Sequence, residues 1–235
     1  MIHYPKRFLQ LFRAFREKKH DSKSNKEANI DLYHVYTFIR DPSRSAIEAL
    51  AAAVDARDHY TRNHSESVSK YALMIGGGLN LKDGERDLLR MAGLLHDVGK
   101  IGIPDYVLNK PSSLSKEEMG IIRTHPALGE SIIKNSHNLD AVLPAILYHH
   151  ERYDGKGYPA GLAGKDIPLL ARIIAVADAF DALLTNRPYR KSLTPADAIG
   201  ELRKHSGTQF DPEIVKAFVK QIELSAEETI IDKAA

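Results

Sequence analysis

The residues best suited to chemistry are histidines and aspartates at the edges of apolar segments. The central stretch is Leu94-Leu95-His96-Asp97-Val98-Gly99-Lys100, where an apolar run (Leu88, Leu89, Met91, Ala92) ends in an adjacent imidazole and carboxylate. Burying both side by side is costly unless something satisfies them. A divalent cation does, since the dipeptide offers a nitrogen ligand and an oxygen ligand that can bridge two ions. A cationic His is also welcome at a helix C-terminus, so the pair alone leaves both explanations standing. His64, His125, His149, His150 and Asp178 occupy the same kind of position. Asp178 lies within Ile173-Ile174-Ala175-Val176-Ala177-Asp178-Ala179-Phe180, where an unpaired carboxylate costs several kcal/mol. These imidazoles and carboxylates are too many for one ion. They suit two octahedral ions sharing Asp97 and a water, and all-N/O ligation favours Fe or Mn, with Zn or Ni as further candidates. His3, His20, His34, His137 and His205 lie in polar or variable surroundings and are expected at the surface, and His59 in a loop beside Asp58.

The elements that must position these side chains are helical almost throughout. Asp41-Pro42 pairs an N-cap with Pro at the first helical position. Helices are expected over 43–57, 64–79 and 83–97, the last delivering His96-Asp97. Gly76-Gly77-Gly78 interrupts the second. Each Gly costs roughly 1 kcal/mol against Ala in a helix interior, so either the helix frays there or a neighbouring backbone comes close. Ser115 and Glu118 form a capping box for the next helix, and Pro126 starts another that runs to about Lys134. Residues 140–151 are expected to be helical and to end in His149-His150-Glu151. Neighbours on a helix point about 100° apart, so both imidazoles reach one site only from the helix edge. A glycine-rich loop, Asp154-Gly155-Lys156-Gly157-Tyr158-Pro159-Ala160-Gly161, precedes an apolar helix over 168–184. Thr194-Pro195 and Asp211-Pro212 open two last helices, with a short polar tail from about 224. No useful period-2 alternation and no internal repeat appear. The expectation is an all-α bundle over 41–223.

The first 40 residues form an appendage. Phe8, Leu11, Phe12 and Phe15 line one face of a basic amphipathic helix over 5–20, followed by a polar linker over 20–29. Packing on the main domain or on a second subunit is preferred for this helix over a membrane surface. As the sequence stands, there is no room for a receiver or other sensor domain before residue 41. Regulation is therefore expected through this helix, a partner, the metal, redox state or expression. The chain of 235 residues is long enough for one substantial core, and its 43% hydrophobic and 27% charged content is ordinary for a globular protein. A net charge of +2 says little about partners, no nucleic acid polymer is expected among them, and the absence of Cys merely fits a cytoplasm without settling the compartment. No apolar run reaches the ~20 residues of a membrane span.

The order His64, His96-Asp97, Asp178 resembles the HD superfamily of metal-dependent phosphohydrolases. His125, His149-His150 and Gly157-Tyr158-Pro159 resemble its HD-GYP branch. The likeness runs over roughly 43–222. It includes Asp58-x-Tyr60-Thr61-x-x-His64-Ser65, Thr124-His125-Pro126, Arg187-Pro188-Tyr189-Arg190 and Gly207-Thr208-x-Phe210-Asp211-Pro212. The resemblance implies an all-α fold and hydrolysis of cyclic di-GMP to the linear dinucleotide pGpG, in some members on to GMP, with Fe or Mn. It implies that His64, His96, Asp97 and Asp178 hold one ion, and that His125, His149, His150 and bridging Asp97 hold the other. Tyr60 stands where three-ion members carry a Glu, so two ions are expected. Two such ions lower the pKa of a bridging water and neutralise the phosphoryl oxygens. Lys100 is assigned to the scissile phosphate or leaving oxygen. Asp181, one turn after Asp178, is expected to orient Lys100 or the water. Gly157 allows close approach of backbone to ligand, Tyr158 is expected against a guanine or a phosphate, and Arg187 and Arg190 on the other phosphate. The competing readings are a non-catalytic cyclic di-GMP-binding or protein-interaction module and an HD-type hydrolase of another nucleotide.

Overall fold

Caps and prolines divide the chain into helices much where the sequence places them. A computed structural model describes residues 42–58, 63–186 and 191–234; the expected helix over 5–20, its linker, His59, Tyr60, Arg187 and Arg190 lie outside these. Residues from Ala46 onward belong to one compact unit. The helices are α1 (Pro42–Arg57), α2 (His64–Gly78), α3 (Asp83–Leu95), α4 (Asp105–Leu108), α5 (Lys116–Ile122), α6 (His125–Ile133), α7 (Leu143–Tyr148), α8 (Leu169–Leu184), α9 (Pro195–Lys204) and α10 (Pro212–Ala234). Among the described residues no strand forms, and one isolated bridge joins Ser206 to Phe210.

The local signals act as expected at several ends. Ser115 Oγ accepts from the Glu118 N–H at 3.2 Å while Glu118 Oε2 accepts from the Ser115 N–H at 2.7 Å, closing the capping box of α5. Thr194 Oγ1 accepts from the Asp197 N–H at 3.2 Å at the start of α9. Two stretches differ from expectation. The helix over 140–151 shortens to Leu143–Tyr148, preceded by a 3₁₀ turn over His137–Val142, because Pro144 suits only the first turn of an α-helix. The stretch read as a tail from 224 is helical, since α10 runs on to Ala234.

The apolar helix α8 is the centre of the core. Ala171, Ile173, Ile174, Val176, Ala177 and Phe180 are buried along it, and it lies against α2, α3, α7, α9 and α10. Phe180 meets Tyr71 of α2 and Phe218 of α10 edge-to-face, with ring centroids 5.0 and 4.9 Å away. Close approach explains the last glycine of the triplet: α2 continues through Gly78, where a Cβ would come 3.1 Å from the Ala217 carbonyl oxygen of α10. A Cβ on Gly93 would stand 2.6 Å from Ser69 Cα, so α2 and α3 cross almost backbone to backbone. Asp211, buried, pairs with Arg172 of α8 and accepts from the Glu213 N–H at 2.8 Å, tying the start of α10 to α8.

Candidate metal centre

The ligand-type residues come from helix ends and from one mid-helix position. His64 opens α2, after Asn63 in the left-handed conformation (φ 61°). Asp55 of α1 caps this end, accepting from the Ser65 N–H at 3.1 Å and from Ser65 Oγ at 2.7 Å. Burial pushes the Asp55 carboxyl up, against these hydrogen bonds. His96 closes α3 and Asp97 begins the 3₁₀ turn Val98–Gly102. His125 opens α6, His149 and His150 follow α7, and Asp178 projects from α8. Freed from the helix, the rings of His149 and His150 lie 4.1 Å apart, centroid to centroid.

Two groups form: His64, His96 and Asp178, and Asp97, His125, His149 and His150, with the ligand-type atoms of each within 4.8 Å of one another. Asp97 faces both. Its Oδ1 lies 3.2 Å from His125 Nε2, and its Oδ2 lies 3.4 Å from His96 Nε2 and 3.7 Å from His64 Nε2. His64 Nε2 is 3.3 Å from Asp178 Oδ1. Neighbouring ligands on an octahedral ion with ~2.1 Å bonds are ~3 Å apart, and these spacings are of that size.

The tautomers also fit a metal. His96, His125 and His149 each donate Nδ1–H to a carbonyl oxygen three residues back, Gly93 at 2.8 Å, Ile122 at 2.8 Å and Ile146 at 2.7 Å. Each Nε2 lone pair is thereby free to ligate, and such outer bonds fix ring orientation. His96 Nε2 is fully buried with no hydrogen-bond partner, which is the signature of a lone pair awaiting a cation. Burial followed by the neighbouring His150 keeps His149 neutral, and burial holds His150 down to about 3. His96 and His64 behave differently. Burial lowers both, but Asp97 raises His96, and Asp178, Asp181 and Asp97 raise His64 to about 10. Without a cation, a proton on His64 offsets the carboxylates, and metal must displace it.

Other assigned residues stand in new relations. Asp181 does not reach toward Lys100. Its Oδ2 takes His64 Nδ1 at 2.7 Å, so it orients a ligand-type ring. Lys100 Nζ sits 2.8 Å from both Asp97 Oδ2 and Asp58 Oδ2, and these carboxylates raise it against burial. Burial would raise Asp97, but Lys100 and His96 hold it well below the usual carboxylate range. Gly157 is needed by the chain itself, because a Cβ there would overlap the Glu151 and Arg152 backbone. Glu151 Oε1 accepts from the Ala160 and Gly161 N–H groups at 2.7 and 3.0 Å, anchoring that loop. Tyr158 stacks on His150, 4.9 Å between centroids, rather than standing open for a base. Asp55, Asp58 and Glu151 were not singled out as site residues. A carboxylate in the Ala-rich run Ala51-Ala52-Ala53-Val54-Asp55 is a readable signal; Asp58 opens the stretch Asp58-x-Tyr60-Thr61-x-x-His64-Ser65 and Glu151 follows His149-His150, and neither position by itself tells its partner.

Asp181→Asn tests the orienting bond. It is expected to weaken Mn(II) binding about 10–100-fold, as loss of an outer hydrogen bond to a ligand does. Titration of metal-free protein followed by calorimetry measures this, and wild-type affinity would remove Asp181 from the site.

Among known proteins, the HD domain family model matches residues 48–214. The chain is 42% identical over 184 residues to the cyclic di-GMP phosphodiesterase response regulator RpfG of Xanthomonas campestris, covering 77% of this chain and 49% of that protein. It is 37% identical to a 3′3′-cGAMP-specific phosphodiesterase of Vibrio cholerae, covering 77% of this chain and 40% of that protein. The solved structure of Bd1817, an HDG"Y"P protein from Bdellovibrio bacteriovorus, matches with a TM-score of 0.57 and 26% identity, over 68% of this chain and 51% of that one. The chain thus spans about half the length of the curated relatives it matches.

Proposed function

Since the chain belongs to the HD domain family, we propose that it is a metal-dependent phosphodiesterase that opens cyclic di-GMP to the linear dinucleotide pGpG. The observation that carries this reading is Asp97, whose two carboxylate oxygens face two separate groups of ligand-type atoms. His64, His96, Asp97 and Asp178 would hold one ion, and Asp97, His125, His149 and His150 the other. The donor set, without sulfur, favours Fe or Mn. Bound there, the ions supply Lewis acidity at the phosphoryl oxygens and acidify water.

The chain's own groups do the rest. Asp181 fixes His64, and the carbonyls of Gly93, Ile122 and Ile146 fix the other three rings. Lys100, held by Asp97 and Asp58, has one N–H left to donate to the scissile phosphate or to the departing 3′ oxygen. Cleavage on that side leaves the phosphate on the 5′ oxygen, giving pGpG. Arg187 and Arg190 are assigned to the second phosphate. A messenger nucleotide as substrate places the domain, residues 41–223, in the cytoplasm. No helix among the described residues is long and apolar enough to cross a membrane.

The 37% identity to a 3′3′-cGAMP-specific enzyme favours a second substrate reading, and one experiment addresses both. Protein purified anaerobically is loaded with Fe(II) or Mn(II) and given cyclic di-GMP or 3′3′-cGAMP, with products resolved by anion exchange. Linear pGpG is the expected product, and further conversion to GMP would show a second step. Turnover of 3′3′-cGAMP alone would transfer the assignment. No turnover with either metal would leave a cyclic dinucleotide-binding module.

A further inference from the structure

Arg123 is the C-cap residue of α5 and precedes His125 by two positions, so the segment that delivers a ligand-type imidazole also delivers a guanidinium. Arg123 is exposed, and its Cζ lies over the Tyr158 ring, 5.2 Å from the centroid. Tyr158 stacks on His150 at an interplanar angle of 29°, and the His150 ring is 5.0 Å from that of His125. Arg123 therefore stands at the outer end of a column of rings that starts in the second ligand group.

Its charge is unspent. Lys100 faces Asp58 and Asp97, Arg57 faces Asp105, and Arg152 faces Asp154. Among the described residues, no carboxylate pairs with Arg123. A guanidinium offers five donors in a planar fork that suits phosphate bidentately. Resting on an aromatic face restricts it beforehand, so less freedom is lost on binding. A cyclic dinucleotide carries two phosphates, and only one lies at the metals when it is cut. Lys100, engaged by two carboxylates beside the ligand groups, does not serve the other, which Arg123 would share with Arg187 and Arg190. Tyr158 is already packed on His150 and covered by Arg123, which leaves the column's outer end to a phosphate rather than to a stacked base.

We infer that Arg123 binds the phosphate that is not being cleaved. This rests on the cyclic dinucleotide reading of the site. It adds a substrate contact from the α5–α6 junction, and the contact is indifferent to the base.

The test uses the full chain loaded with Mn(II), comparing wild type with Arg123→Ala, Arg123→Lys and Arg123→Gln. Substrates are cyclic di-GMP and bis(p-nitrophenyl) phosphate, a diester with a single phosphate. Arg123→Ala is expected to raise KM for cyclic di-GMP about tenfold, with kcat within about twofold, the size of one lost charge-assisted contact at a partly wet site. The loss for the single-phosphate ester is expected to be clearly smaller. Lys recovers part of the affinity because charge is what matters, and Gln does not. An unchanged KM overturns the inference. So does an equal fall in kcat with both esters, which would mean that Arg123 merely fixes His125. Rescue by Gln and not by Lys would assign Arg123 to a base edge instead. A wild-type protein that cleaves the simple ester but neither binds nor cleaves cyclic di-GMP sinks the substrate reading itself, and this inference with it.

Discussion

Asp97→Asn is expected to abolish turnover of cyclic di-GMP and to lower bound metal, while the far-ultraviolet circular dichroism stays helical. The carboxylate faces both ligand sets, through Oδ1 toward His125 and Oδ2 toward His96 and His64. The amide keeps the shape and loses the charge. One of its ends is an NH₂ donor, which cannot ligate and is repelled by the Lys100 ammonium 2.8 Å from Oδ2. Activity is expected to fall at least about a thousandfold, as when a member of an interdependent catalytic set is removed. Metal analysis should show the loss of an ion. The fold has independent support in the buried Leu89, Leu95, Val98, Ile146 and Ile174 around the site. Lys100 retains Asp58, so the ammonium is not stranded. Turnover within tenfold of wild type would refute the bridging role.

The ligand-type residues were legible because each breaks a local rule. A His or Asp at the edge of an apolar helix asks for a partner, and several such requests in one chain ask for a shared one. The helices were legible from Ser115-x-x-Glu118, from Thr194-Pro195 and from the apolar run of α8, all signals carried by residues close in sequence. Long-range relations were not legible. Asp181 meets His64 across 117 positions, and Asp58 meets Lys100 across 42. Nothing near Asp181 distinguishes a carboxylate that holds an imidazole from one that serves Lys100. The role of Glu151 likewise depends on a loop returning to it nine and ten residues later. The pair His149-His150 was expected on a helix, where the two rings diverge. Only the early end of α7 at Tyr148 brings both toward one group.

Gly99 shows how a residue with no side chain shapes the same centre. It lies between Asp97 and Lys100 in the 3₁₀ turn, and a Cβ there would overlap the His125 carbonyl oxygen and stand 2.5 Å from the Gly129 nitrogen. Both neighbours are backbone of α6, so neither can swing aside as a side chain does. Gly129 answers from the other side, since its own Cβ would come 3.3 Å from the Gly99 nitrogen and 2.9 Å from Ile146 Cγ2. Two glycines thus let the turn carrying Asp97 and the helix carrying His125 meet backbone to backbone, with 3.2 Å between Oδ1 and Nε2. Gly99→Ala must push them apart. Overpacking of this kind costs about 3 kcal/mol or more, which for a chain of this size lowers Tm by about 10 °C. Turnover measured well below the new Tm is expected to fall further than the unfolded fraction explains, because the separation opens at Asp97 and His125. Gly77→Ala is the contrasting case, since a Cβ there meets nothing within 4 Å inside α2. It is expected to raise stability by up to about 1 kcal/mol through helix propensity alone. Thermal melts and turnover of the two variants side by side separate the terms. Equal behaviour would mean that the contact between the turn and α6 does not set the geometry of the site.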